Sequence, residues 1–492
     1  MTAALGPKLE LLLGKLVQQA VALIKSLMSR RRVGGGWASV TEEPHPRLAE
    51  VEHIIVVMME NRSFDHMLGY LALEGGIPGI DGLHLDMHND HAGEGYPVRP
   101  LTQTVFPGGA NPSHDSASVT TQLAGNNGGF VGNFAEKHPG VDPGLVMGYY
   151  TGEQLPVYDH LARHFTVCQR WFSSVPGATW PNRLYSVAGA AAGSPDDLPL
   201  FPYYWMKAFT RHLEKARHTW RWYSYDPGTL RFIDRKYRTE RGGRFGFVEQ
   251  RTPVEDLEGK VLGEGPSLLD DIANDELPNV CWVDPNFTDL HLFPHANDDH
   301  PPADVTAGQE LVFTIYRALA DKPDVWAKSM LVIVYDEHGG LFDHVPPPAA
   351  PDDDKRFSRY GVRVPAIVVS PWSKPGIPSD LLFDHTSLIK TILLRFCVKN
   401  GKIPNMGQRV TSANDLSPLL GDAAKAAPDR EPLAERMADI RAAQTHRRVT
   451  TPPAEAIRPQ REAIDDLQAG IIRGAQKLRR KRLRPGLPAG NP

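Results

Sequence analysis

The chain has 492 residues, of which 41% are hydrophobic and 23% charged, with a formal net charge of −4. That length and balance exclude a wholly disordered chain and leave room for one large α/β domain with insertions or for two to three smaller domains. Three isolated cysteines, Cys168, Cys281 and Cys397, with no CxxC pair, speak against a disulfide framework or a structural zinc site and fit a reducing compartment.

The charge is unevenly placed. Residues 8–32 carry six Lys/Arg against one Glu, and residues 473–492 carry seven Lys/Arg and no acid, so an acidic body lies between basic ends. Such ends are either solvated charge or contacts for something anionic. The stretch KLELLLGKLVQQAVALIKSLM is interrupted by Lys15, Gln18, Gln19 and Lys25 and is followed by Arg30, Arg31 and Arg32. It is too polar to span a bilayer and lacks the cleavage site of a secretory signal. It reads as an amphipathic helix with basic flanks, suited to an anionic membrane surface, a partner helix or its own domain. The expected location is cytoplasmic or peripheral to a membrane.

Residues 1–47 are therefore read as this helix and a Gly- and Pro-containing linker, VGGGWASVTEEPHPR (33–47). The body, residues 48–400, holds short Val- and Ile-rich runs: HIIVVMM (53–59), NVCWVD (279–284), SMLVIVY (329–335) and RVPAIVVS (363–370). Each reads as a strand buried on both faces, the pattern of a parallel sheet. Helical periodicity appears at VTAGQELVFTIYRALADK (305–322) and TSLIKTILLRF (386–396), and alternating strands and helices predict an α/β fold. Residues 75–150, rich in Gly, His, Asn and Pro, are expected to form loops and short elements near a sheet edge. Residues 401–492 form an Ala-, Pro- and charge-rich extension with two helical stretches, loose packing beyond about 445, and a basic tail.

Three of the strands run into polar clusters: Glu60-Asn61, Asp284, and Asp336-Glu337-His338-Gly339-Gly340. A parallel sheet gathers the carboxyl ends of its strands, where ligands bind. Glu60, Asn61, Asp336 and Glu337 together offer three carboxylates and an amide oxygen, which at neutral pH call for a cation between them. An all-oxygen set suits one divalent ion, Ca, Mg or Mn, while nearby histidines leave zinc open. The alternative is that each acid caps its own loop.

In SSVPGATWPNRLYSVAGAAAG (173–193), Thr179 stands where a helix begins, with Pro181 in the first turn. It is either a plain helix cap or a nucleophile set among unpaired N–H groups and activated by a metal. Arg183, one turn on, can clamp a phosphate. Of 19 histidines, several stand beside Asp: His114-Asp115, Asp299-His300, Asp343-His344 and Asp384-His385. Such a pair is a loop contact or a proton-transfer site, and His114 and His300 rank first for the second role. Ser63 reads as the start of the next helix.

IIVVMMENRSFDHMLGYL, SSVPGATWPNRLY, NDDHPPADV…GQELV, LVIVYDEHGGLFDHVPPP and DHTSLIKTILLRF resemble, in order, the motifs of the bacterial phospholipase C and acid phosphatase family of phosphoesterases, within the alkaline phosphatase-like superfamily. The resemblance spans about 50–400. It implies an alkaline phosphatase-like three-layer α/β/α sandwich with a mainly parallel central sheet. It implies a metal held by Glu60, Asn61, Asp336 and Glu337, a nucleophile at Thr179, and phosphoryl or leaving-group contacts from His114, His300 and Asp299. Asp284 is the candidate for a further active-site acid. The expected function is metal-dependent phospholipase C hydrolysis of a phospholipid phosphodiester. The alternatives are an acid phosphatase acting on soluble monoesters and a non-enzymatic membrane-surface protein. No nucleic-acid partner is expected. Unlike many family members, the chain shows no export signal, and its tail is too short for the C-terminal β domains of the larger ones.

Overall fold

The computed structural model describes residues 36–450 apart from 197–203, 205, 226, 241–242, 250–253, 256–260, 263–264, 288–295 and 375–378. The expected N-terminal amphipathic helix and the basic tail lie outside these residues. Among the described residues, no helix is long and apolar enough to cross a membrane.

In chain order the elements that build the site are β1 (Trp37–Ser39), β2 (His53–Met59), α1 (Phe64–Leu68), α2 (Ser116–Gln122), α3 (Pro156–His164), β3 (Thr166–Val167), α4 (Thr179–Ala188), β4 (Trp220–Ser224) and β5 (Phe245–Gly246). They continue with β6 (Val280–Asp284), α5 (Val305–Ala320), β7 (Ser329–Tyr335), β8 (Ala366–Val369), α6 (Thr386–Phe396), β9 (Lys402–Pro404) and α7 (Glu431–Thr450). Seven strands form the central sheet in the order β3-β8-β7-β2-β6-β4-β5. All neighbours run parallel except those of β8, which is antiparallel to both β7 and β3. RVPAIVVS thus forms the expected buried strand with the direction reversed. A continuous apolar run signals burial on both faces but carries no sign of strand direction.

The apolar runs coincide with the strands because β2, β6 and β7 are covered on both sides, each being buried throughout apart from His53 at the start of β2. Register shows which helix covers which face. Tyr335 is level with Met59, and Val334 with Met58. Successive side chains point to opposite faces. Tyr335 meets Tyr158 of α3, O–O 2.7 Å, whereas Ser186 of α4 donates to the Sδ of Met58 at 3.6 Å. Helices α3 and α4 therefore lie on opposite faces. Helix α5 packs with the first, and α6 with the second. The result is an α/β architecture with a mixed, mostly parallel sheet between helical layers.

Two segments read as flanking chain join the body. Trp37–Ser39, within the expected linker, is a strand paired antiparallel with β9, because Ile403 opposite Ala38 offers an apolar edge. In the C-terminal extension α7 buries Leu433 and Met437, and Arg436 donates to the Gly152 carbonyl at 2.8 Å. Residues 75–150 do form short elements, including the hairpin His88–His91/Glu94–Pro97.

Candidate active site

The register places Met59 level with Tyr335, and Val283 two residues back, level with Val57 and Ile333, so the residues that follow β2 and β7 emerge together at the carboxyl edge of the sheet and Asp284 lies just beneath them. Glu60, Asn61, Asp284, Asp336 and Glu337 are all fully buried there. Asn61 turns with a positive φ of 57°, and its N–H donates to Asp336 Oδ1 at 3.1 Å. The loop after β7 closes against it through Gly339, φ 63°, where a Cβ would stand 2.2 Å from the Asn61 carbonyl oxygen. Only glycine lets these two loops touch. Ser63 caps α1, as expected, accepting from the His66 N–H at 3.3 Å.

Helix α4 starts at this edge. Its cap is Ala178, not Thr179; Thr179 is the first helical residue and is buried. The Thr179 hydroxyl faces Asn61 Oδ1 at 3.5 Å, so it looks into the cluster, not back at its own helix. Asn61 Nδ2 lies 3.3 Å from His114 Nε2, and His114 Nε2 lies 3.8 Å from Glu337 Oε1. His300 stands beside His114, ring centroids 6.0 Å apart. The structure therefore brings Asn61, Thr179, His114, His300 and Glu337 into one cleft.

Arg183 is a correction. It is expected on a phosphate, but its Nε and Nη2 are taken up by the protein. Nε donates to Glu60 Oε1 at 2.7 Å and to Asp336 Oδ2 at 3.0 Å, and Nη2 to the Met58 and Met59 carbonyls. Asp284 Oδ1 lies 3.9 Å away, and the cation sits over the Phe287 ring. The physical reason is burial: an arginine one turn into α4 and covered by the sheet has no solvent, so it must be satisfied by nearby carboxylates. Asp284 is likewise structural, accepting from Trp222 Nε1 and the Thr229 N–H.

Asp299, expected beside His300 among the phosphoryl or leaving-group contacts, has its carboxylate turned to Tyr335. It does not orient His300 through any hydrogen bond of its carboxylate; His300 Nδ1 instead pairs with the Pro301 carbonyl at 2.7 Å. With φ at 72°, Asp299 turns its side chain inward, where Oδ2 accepts from Tyr335 Oη at 2.5 Å and Oδ1 has no hydrogen bond. Burial pushes its pKa up to about 7.

Sequence reasoning missed two supports. His338 Nε2 pairs with Gln122 Oε1 of α2 at 2.8 Å, and its Nδ1 lies 3.4 Å from Glu337 Oε2. His385, ranked below His114, precedes α6 and reaches the Asp336 carbonyl with Nε2 at 2.6 Å. Trp171 Nε1 can only donate, so it fixes Nδ1 of His385 as acceptor and Nε2 as the donor. Burial brings this ring down to about 4, so it stays neutral. The signal for both was the histidine adjoining a strand-end acid or a helix start.

Electrostatics define what the cleft lacks. Burial raises Asp336, with Arg183 opposing and Glu337 adding to the rise; Glu337 is itself held below its usual range, where His114 and His338 outweigh burial. Four buried carboxylates thus face one permanent cation, Arg183, among the described residues, and Glu337 Oε1 has no hydrogen-bond donor. Asn61 Oδ1 and Glu337 Oε1 are the oxygen atoms here open to a divalent cation, while Glu60 and Asp336 are already bonded to Arg183. A second group, Asp65, Asp343 and His344, brings ligand atoms within 4.8 Å of one another and could also hold an ion. There, as with Arg183 in the first cluster, an arginine joins the carboxylates: Arg363 bonds Asp65 at 3.1 Å and Asp343 at 2.8 Å, and His344 is raised to about 10 by its carboxylate partners against the pull of burial. Without an ion these groups pair with one another as an ion-pair network.

A buried carboxylate cluster, a hydroxyl at a helix start and two histidines, gathered at the carboxyl edge of an α/β sheet, define a hydrolase acting on phosphoric ester bonds, and comparison with known proteins agrees. The sequence model of the phosphoesterase family matches residues 51–399, and the chain belongs to that family. Non-specific phospholipase C6 of Arabidopsis thaliana is 34% identical over 388 residues, covering 72% of this chain and 69% of the plant protein. Phospholipase C A of Mycobacterium tuberculosis is 32% identical over 413 residues, covering 73% and 75%. Among solved structures, a protein in the alkaline phosphatase superfamily from Vibrio parahaemolyticus aligns at a TM-score of 0.36 with 9% identity, covering 85% of this chain and 90% of that one. The lipoteichoic acid synthase LtaP from Listeria monocytogenes aligns at 0.38 with 10% identity, covering 80% and 82%.

Proposed function

We propose that the chain is a phospholipase C, hydrolysing the phosphodiester of a phospholipid with Thr179 as nucleophile and a divalent ion held by Glu60, Asn61, Asp336 and Glu337. The observation that carries this reading is the Thr179 hydroxyl, turned toward Asn61 in a cleft whose buried acids outnumber its cations. The phospholipid is favoured by the relatives' names, phospholipase C in both a plant and a bacterium.

When bound, the ion supplies positive charge that favours the Thr179 alkoxide and offsets charge on the phosphoryl oxygens. Thr179 Oγ1 gives up its proton to solvent and attacks phosphorus, the P–O bond to the diacylglycerol oxygen breaks, and a phosphodiester between Thr179 and the head group forms. His300 or His114 gives the departing alkoxide its proton. Water then attacks phosphorus, the P–Oγ1 bond breaks, and the phosphorylated head group leaves. Arg183 positions Glu60 and Asp336, and His385 and His338 position Asp336 and Glu337.

The test pairs a chromogenic choline phosphodiester with a simple aryl phosphate monoester, on wild type and Thr179→Ala. Loss of at least about 10³-fold in kcat with the metal content unchanged is expected. Retained turnover in Thr179→Ala rejects the nucleophile, and preference for the monoester replaces the phospholipase with a phosphatase.

A further inference from the structure

A cavity of about 1090 Å³ lies away from the active site. It lies at the opposite, amino edge of the sheet. His218, which lines it, precedes β4, bonds Asn279 just ahead of β6 at 3.3 Å, and packs its ring at a tilt against Phe396 at the end of α6, centroids 5.0 Å apart. Two helices span the distance between the sites. Helix α4 begins with Thr179 and ends with Ala188 on the cavity wall, and α6 begins beside His385 and ends with Phe396 there.

The cavity has two chemical characters. Its floor is apolar: Met206, Phe396 and Met406 are buried, while Trp37 at 51% and Val398 at 48% stand exposed at the mouth. Its polar lining is basic. Lys207, Lys215 and Lys399 line it, no Asp or Glu does among the described residues, and none of the three ammonium groups makes an ion pair with a described carboxylate. His212 registers the resulting field: burial, then Lys215, Arg211 and Lys207, bring it down to about 4.

Three occupants can be compared. Residues 8–32 carry six Lys/Arg against one Glu, the same sign as the cavity's lysines, so the two would repel. A bilayer seated on this edge would turn the catalytic edge away from its own lipid by the length of the seven-residue β2, about 23 Å. A single-chain anionic amphiphile matches both characters, with its alkyl chain on the apolar floor and its head among the lysines. The volume is that of ligand pockets, which run to about 1,000 Å³. We infer that this cavity is a second, non-catalytic binding site for a single-chain amphiphile with an anionic head, taken from solution.

The test uses the full-length protein and three probes with the same chain, each below its micelle concentration: dodecanoate, dodecyl maltoside and dodecyltrimethylammonium, titrated calorimetrically. Dodecanoate is expected to bind at one equivalent, with the other two at least tenfold weaker. Lys207→Glu/Lys399→Glu, both on exposed side chains, is expected to weaken dodecanoate at least tenfold while phosphoesterase turnover stays within twofold. Excess inorganic phosphate is expected not to displace it. Equal affinity for the neutral or cationic probe overturns the inference, as does an unchanged affinity in the double variant. Displacement by phosphate would move the bound chain to the catalytic cleft. Lysine-dependent co-sedimentation with phosphatidylglycerol vesicles, without binding of monomeric dodecanoate, would make the surface a bilayer dock; either result overturns it.

Discussion

Asp299→Asn separates the charge of a buried carboxyl from its shape. In the folded protein burial raises this group to about 7 from its ordinary 3.8, although Tyr335 Oη and Arg62 both favour the anion. A carboxyl raised on folding destabilises as pH rises: the unfolded chain ionises first, so stability is lost between about 3.8 and 7 and stays lost above. A shift of about three units corresponds to about 4 kcal/mol in full, of which about 3 kcal/mol accrues between pH 5 and pH 8.5. The isosteric amide cannot ionise, but its Nδ2 enters a pocket that supplied a donor, Tyr335, at a cost of about 1–3 kcal/mol. The variant is therefore expected to be less stable than wild type or equal to it at pH 5 and to gain about 3 kcal/mol relative to it at pH 8.5. Urea unfolding of both proteins at the two pH values measures this difference, in which every other titration cancels. The same stability difference at both pH values would refute the reasoning, showing that Asp299 is ionised throughout.

Arg183→Met removes the cation among Glu60, Asp336 and Asp284, and is expected to destabilise by about 3–5 kcal/mol with loss of activity, read by thermal melting and turnover. Gly308→Ala would place a Cβ 2.1 Å from Asp299 Oδ1, so a loss of about 1–3 kcal/mol is expected in urea unfolding, partly restored by Asp299→Ala in the same chain. His344, raised to about 10 in the fold from an ordinary 6.5, contributes stability that is fully present below 6.5 and is lost as pH rises toward 10. Melting temperatures of His344→Asn are expected to vary less over that interval than those of wild type.

The positions of the strands were legible because buried strands must be apolar on both faces: 53–59 and 329–335 coincide residue for residue with β2 and β7, and helices at 305 and 386 begin where their apolar periodicity does. The polar residues that follow those strands were legible for the same reason, since an acid directly after a fully buried strand must be held by something. Local pattern also placed Thr179 at a helix start, within one residue of its true cap.

Partnership was not legible, because it depends on which segments the topology brings together. Arg183 and Glu60 are 123 residues apart, and only the sheet register makes them an ion pair. The pair Asp299-His300 reads as a unit in the chain, yet a left-handed backbone at Asp299 sends its carboxyl to Tyr335. The reversed direction of β8 and the pairing of Trp37–Ser39 with β9 likewise follow from edges that exist only once the sheet is assembled. Sequence by itself determined which residues are buried and which chemistry the strands deliver to the sheet's edge. The tertiary structure decided which of those groups meet, because hydrogen bonds and ion pairs are satisfied by whatever lies within about 3 Å, however distant in the chain.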